Sequence, residues 1–125
     1  VVFDGSIIPI YHPLTEPIEC VVKDNFITSI EGGRDAQEYK RYLGDLDDPQ
    51  VYNIAEFGIG TNSKCRLSGT PLEDERIFGA VHIGIGTNIN FGGNVKSKTH
   101  TDGMIMRPTV KIDGRLIVEN GNFKI

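Results

Sequence analysis

Along residues 17–30, "PIECVVKDNFITSI", apolar and polar positions alternate on either side of a Lys23-Asp24-Asn25 centre. A period of two marks a half-buried strand, and two such runs around a polar turn predict a β-hairpin. The period then changes. In "RDAQEYKRYLG", residues 34–44, Ala36, Tyr39 and Leu43 recur at intervals that share one face of a helix. Asp35 is expected to cap this helix, Glu38 to complete a capping box and Gly44 to stop it. "DLDDPQ" (45–50) reads as an acidic, proline-broken connection, without the glycine and spaced later ligands of an EF-hand loop. Two strand-like segments follow, "VYNIAEFGI" (51–59) and "IFGAVHIGI" (77–85). The chain ends on "PTVKI", "RLIVE" and "NFKI", separated by Asp113-Gly114 and Asn120-Gly121 turns. The pattern predicts a β-rich α+β single domain over residues 1–125, with a mixed or antiparallel sheet, one main helix and a C-terminal β-meander.

Composition narrows the class. Fifteen glycines and six prolines agree with many turns and short strands, and 38% hydrophobic with 24% charged residues suits one globular domain. A net charge of −4 argues against nucleic acid or an anionic membrane as the partner. No apolar run approaches the ~20 residues that a spanning helix needs, and "VVFDGSIIPI" lacks the layout of a signal peptide. The two cysteines, Cys20 and Cys65, have neither zinc-ribbon spacing nor a disulfide framework around them. They are expected to be reduced thiols in a cytoplasmic protein. The first residue is not methionine and already reads as strand, so the chain is expected to be a piece of a longer protein.

One pentapeptide is written twice. "AEFGIGTN" covers residues 55–62 and "VHIGIGTN" residues 81–88, and two places before each GIGTN stands a group able to bind metal, Glu56 or His82. Residues two apart on a strand face the same way, so each ligand shares its face with a glycine, which leaves room for a close approach. The plain alternative is a bend that suits a β-fold, with Glu56 exposed and His82 in the core. A nucleotide loop does not fit, because Ser63 and Ile89 occupy the third glycine's place in GxGxxG. In "THTDG" (99–103), His100 and Asp102 are again two apart, an imidazole and a carboxylate placed to clamp one ion. "FGGN" (91–94) adds a flexible loop with exposed backbone beside them. His12 and Cys65 read as bystanders, and Glu73, Asp74 and Glu75 as a solvated turn from which one carboxylate could act as a base.

"NIAEFGIGTN", "LEDERIFGAVHIGIG", "FGGN" and "HTD" together resemble the C-terminal half of the thermophilic aminopeptidase family, of aminopeptidase T and aminopeptidase S type, and its shorter relatives. The resemblance implies a metallo-aminopeptidase-like hydrolase that activates water on divalent cations and cleaves a small peptide or amide substrate. It implies Glu56, His82, His100 and Asp102 as metal ligands, two ions (zinc, cobalt, manganese or iron) in a full-length protein, and a homodimer. The chain departs from that family's pattern at Thr101, where the aminopeptidases carry tryptophan, and at residues 88–90, where they carry a tyrosine. The family's first glutamate would lie before Val1. Two alternatives remain. His82, His100 and Asp102 alone make the two-histidine, one-carboxylate set of a non-haem iron(II) dioxygenase, and a ring-cleaving dioxygenase of hydroxypyridines resembles the same broader family. The other is a non-catalytic β-module.

Overall fold

The computed structural model describes all residues from Val1 to Ile125. Nine strands form three antiparallel sheets of three. The first holds β1 (Val2–Phe3), β2 (Ile18–Lys23) and β3 (Phe26–Glu31), the second β4 (Ile54–Ile59), β5 (Val81–Gly86) and β6 (His100–Ile105), and the third β7 (Val110–Ile112), β8 (Arg115–Glu119) and β9 (Asn122–Phe123). The main helix, α1 (Arg34–Asp45), lies between the first sheet and the second, and α2 (Pro71–Asp74) is a single turn. The α+β reading with one main helix and a C-terminal meander holds, and every strand pairing is antiparallel. No helix is long and apolar enough to cross a membrane.

The β2–β3 hairpin turns at Asp24 and Asn25, both with positive φ (50° and 67°), which is the backbone twist that joins two strands tightly. Helix α1 buries Ala36, Tyr39 and Leu43, the stripe set by their spacing. These side chains join Phe3, Ile18, Ile27, Ile30, Val51 and Ile85 in one apolar cluster. Its capping differs from expectation. Gly33 is the N-cap and no side chain caps the helix. Asp35 points inward instead and accepts hydrogen bonds from the Thr15 amide and hydroxyl, both at 3.1 Å. A buried carboxylate needs such partners more than the solvated helix end does. Gly44 lies inside the helix, which runs one residue further.

Both central segments are shorter as strands than their apolar runs. Residues 49–52 wind into a 3-10 turn begun by Asp48, whose Oδ1 accepts from the Gln50 amide at 2.9 Å. Residues 77–80 form a turn that is tied back to Asn62, with Phe78 N donating to Asn62 O at 3.2 Å and Asn62 N to Arg76 O at 2.9 Å. Within the acidic run 73–75, Glu73 and Glu75 stay partly exposed, but Asp74 departs from the solvated turn expected. Asp74 is buried and accepts from Ser6 Oγ (2.7 Å), Gly69 N (2.9 Å) and Ser68 N (2.9 Å). Its carboxylate oxygens thereby hold the 68–76 loop against the N-terminal segment, which excludes Asp74 as a solvent-facing base.

Candidate metal centre

The register of the second sheet brings the doubled pentapeptide together. Glu56 pairs with Gly84 and Gly58 with His82, so each strand's ligand stands opposite the other strand's first glycine. On the far side of β5, Gly84 pairs with Asp102 and Gly86 with His100. Directly paired residues of an antiparallel sheet share a face, so all four candidate ligands face one way. The glycines are needed there. A Cβ on Gly58 would strike the His82 ring, and one on Gly84 would lie 2.7 Å from Glu56 Cβ and 2.8 Å from His100 Cε1. The ligands cross over their neighbour's glycine to meet.

They meet around the Glu56 carboxylate. Its Oε1 lies 3.3 Å from His82 Nε2, and its Oε2 lies 3.3 Å from His100 Nε2. His100 Nε2 is in turn 3.4 Å from Asp102 Oδ1. Glu56, His100 and Asp102 each offer an atom within 4.8 Å of the others, a spacing that suits the coordination shell of one ion. His82 stands against the opposite oxygen of Glu56, outside this trio. All four side chains are at most about a quarter exposed.

The donor chemistry fits a cation. Thr87 O lies 2.7 Å from His100 Nδ1, and since a carbonyl can only accept, Nδ1 carries the hydrogen. In the neutral ring the lone pair is then on Nε2, facing the carboxylates, as in a metal-ligating histidine held by an outer partner. Asp102 Oδ1 and His82 Nδ1 are buried with no hydrogen-bond partner. An orphaned carboxylate oxygen beside two further ligands is costly unless a cation takes it up. Without one, a proton does so in part. The Asp102 carboxylate foremost, then the Thr87 carbonyl and Glu56, raise His100 to about 9, against the opposing effect of burial.

The strand bearing this pair is held from behind. Tyr39 and Tyr42, one turn apart on α1, place their hydroxyls 2.9 Å from Thr101 Oγ1 and Thr99 Oγ1. Thr101 stands between His100 and Asp102, so the helix touches the back of the ligand strand. Burial raises the Tyr39 phenol far above its usual range and keeps it neutral and hydrogen-bonded. In front, a cleft of about 510 Å³ is lined by the four candidate ligands together with Ile59, Gly60, Thr61, Glu75, Arg76 and Phe91. Tyr39 carries no local sequence signal for this place, whereas Arg76, Phe91 and Thr101 fall inside the LEDERIFGAVHIGIG, FGGN and HTD segments. His12 is remote from the cluster, exposed, with Nδ1 2.8 Å from Pro13 O and Nε2 3.7 Å from Asp35. Cys20 and Cys65 are both free thiols, and burial raises Cys20 to about 11.

Fold and cluster define a class: a β-rich α+β domain with a half-buried histidine–carboxylate site suited to a metal ion. Within that class the chain belongs to the 2,5-dihydroxypyridine 5,6-dioxygenase (NicX) family, whose model matches residues 1–125. The 2,5-dihydroxypyridine 5,6-dioxygenase of Pseudomonas putida KT2440 is similar, with 26% identity over 93% of this chain and 36% of the relative. The solved structure of 2,5-dihydroxypyridine dioxygenase from the same strain superimposes with a TM-score of 0.88 at 25% identity, over 98% of this chain and 39% of that one. The chain therefore spans little more than a third of the length of the relatives it matches.

These findings overturn the aminopeptidase resemblance. The family is one of dioxygenases, which are oxidoreductases, so the expectations of a hydrolase, a metalloprotease and a peptide or amide substrate fall with it. The reason is physical. Imidazoles and carboxylates beside glycine on adjacent strands make a metal cradle, and that cradle is compatible with more than one chemistry.

Proposed function

We propose that this domain supplies the metal-holding part of a ring-cleaving dioxygenase site that acts on a dihydroxylated pyridine. The observation that carries the reading is the convergence of Glu56, His100 and Asp102, with His100 Nε2 freed by the Thr87 carbonyl and Asp102 Oδ1 left without a partner. These three would hold an iron(II) ion, with His82 on the other face of Glu56 as the fourth group. In such a site, bound iron(II) supplies the redox and Lewis-acid chemistry by which both atoms of dioxygen enter an aromatic ring. The chain's own residues set the conditions for it. Glu56 and Asp102 bring negative charge that favours a divalent cation, and Thr87 fixes the His100 tautomer. Tyr39 and Tyr42 hold the ligand strand from the core side, while His82 offers an imidazole able to hold or pass a proton at Nε2. The free thiols agree with a reducing, cytoplasmic setting.

The test is consumption of dioxygen with loss of the pyridine ring's ultraviolet absorbance when the iron(II)-loaded protein meets 2,5-dihydroxypyridine. Asp102→Ala and His100→Ala are expected to abolish both signals. Hydrolysis of an aminoacyl-anilide without oxygen uptake would contradict the reading.

A further inference from the structure

The cleft in front of the cluster is polar apart from two residues, Ile59 and Phe91. Phe91 is 59% exposed, and its ring centroid lies 5.4 Å from that of the His100 imidazole, tilted by 40°. It stands at the tip of a loop that is closed by one side chain. Asn88 Oδ1 accepts from Val95 N at 2.9 Å, Asn88 N donates to Val95 O at 3.1 Å, and Asn88 O accepts from Phe91 N and Gly93 N, both at 3.0 Å. Thr87 Oγ1 donates to the same Val95 carbonyl at 3.0 Å. Gly92 turns the chain with φ 83°, and Gly93 leaves the space that the Asn88 side chain fills, since a Cβ there would strike it. A short loop so heavily bonded presents its phenyl ring in a set place, against one ligand and open to the cleft.

We infer that Phe91 is the ring-stacking wall of this site and that Asn88 is the residue that positions it, so that the cleft selects planar aromatic substrates by contact with their face. The inference rests on the metal reading above and adds to it the side chain that recognises the ring. The aromatic face attracts a second ring in offset or tilted geometry at centroid distances of about 4.5–7 Å, the range in which Phe91 already meets His100. A substrate ring with one hydroxyl at the ligand cluster would lie beside Phe91. Ligands without a ring would reach the same ion and gain nothing from it. Phe91 is therefore a discriminating contact, and its loss separates two kinds of ligand.

The experiment uses the protein loaded with cobalt(II), whose visible absorption reports ligand binding without turnover. Two probes are titrated anaerobically: 2,5-dihydroxypyridine, and acetohydroxamate, a planar chelator with no ring. Phe91→Leu keeps apolar bulk and is expected to weaken the dihydroxypyridine by about 3- to 10-fold, with acetohydroxamate within about twofold of wild type. Phe91→Tyr keeps the ring and should bind both as wild type does. Asn88→Ala should reproduce the ring-selective loss, and Asn88→Asp, which keeps the Oδ1 acceptor, should restore it. Because Phe91 is exposed, unchanged thermal melting of its variants separates recognition from folding. If Phe91→Leu weakens both probes equally, or neither, the inference is overturned and the metal site stands. If the wild type takes up no cobalt, the metal reading is overturned and the inference with it.

Discussion

Gly60 and Gly86 hold the same place in the two GIGTN segments, and a methyl group on either would strike a carbonyl oxygen, that of Ile77 or of Thr99. The likeness goes no further. Gly60 has ordinary backbone angles, whereas Gly86 has φ of 112°, a conformation that other residues rarely adopt. Ile59 lines the cleft, but Ile85 is fully buried in the core cluster. Asn62 turns a short loop by accepting from Lys64 N at 3.0 Å, while Asn88 closes the longer loop that carries Phe91. Thr61 stands in the cleft wall, and Thr87 lends its carbonyl to His100. The shared letters solve one common problem, room for a ligand that crosses from the neighbouring strand. Beyond that, the copy at the sheet's centre makes room for the trio of ligands, while the copy at its edge makes room for His82 and lines the cleft.

The comparison is sharpest where backbone strain differs. Gly86→Ala adds a left-handed backbone penalty to its clash and is expected to cost about 4 kcal/mol of stability, against about 2 kcal/mol for Gly60→Ala, as read by urea unfolding. Comparable losses would mean that φ at Gly86 is not what distinguishes the copies. Next come the first glycines. Gly84→Ala displaces Glu56 and His100 together, and should lower metal affinity about 100-fold, whereas Gly58→Ala moves only His82 and should lower it about 10-fold. A reversed order would make His82, rather than the trio, the centre of the site.

The pH dependence is a smaller effect and runs in opposite directions with and without metal. His100 has its folded pKa raised to about 9, above the ordinary histidine value. In the metal-free protein its charged form stabilises the fold fully below about pH 6.5, and this contribution is lost as pH rises through 9. A cation must displace that proton, so metal affinity should rise about tenfold per pH unit up to the same pH and then level off. Thermal melts and metal titrations over pH 6–10 read both slopes. The smallest effect is behind the sheet. Tyr39→Phe leaves Thr101 Oγ1 without its partner and should cost about 1 kcal/mol, and Tyr42→Phe, nearer solvent, about half that.

Much of this molecule is legible in its local pattern. Alternation sets the β2–β3 hairpin, the spacing of Ala36, Tyr39 and Leu43 sets the buried face of α1, and Asp113-Gly114 and Asn120-Gly121 set the final turns. The i, i+2 spacing of Glu56 with Gly58, His82 with Gly84 and His100 with Asp102 points to one shared face, and the sheet register brings those faces together. What escaped the local pattern depends on partners far along the chain. Asp35 looks like a cap until Thr15 is beside it, and Asp74 looks solvated until Ser6 covers it. The Tyr39–Thr101 bond joins residues that no periodicity relates. The chemistry is legible only as an alternative, the iron(II) dioxygenase set of His82, His100 and Asp102, and the aminopeptidase resemblance placed first gives way to it. Glutamate, histidine and aspartate at these spacings describe a cradle for a cation, and a hydrolase and a dioxygenase can both be built around one.

The central claim is that Glu56, His100 and Asp102 form one cation site against which His82 stands as an outer member. Anaerobic calorimetric titration of the protein with iron(II) tests it directly, on wild type, His100→Ala and His82→Ala. The account predicts one ion per chain, binding lost beyond detection in His100→Ala, and binding about 10-fold weaker in His82→Ala. Wild-type affinity in His100→Ala, or loss confined to His82→Ala, would contradict it.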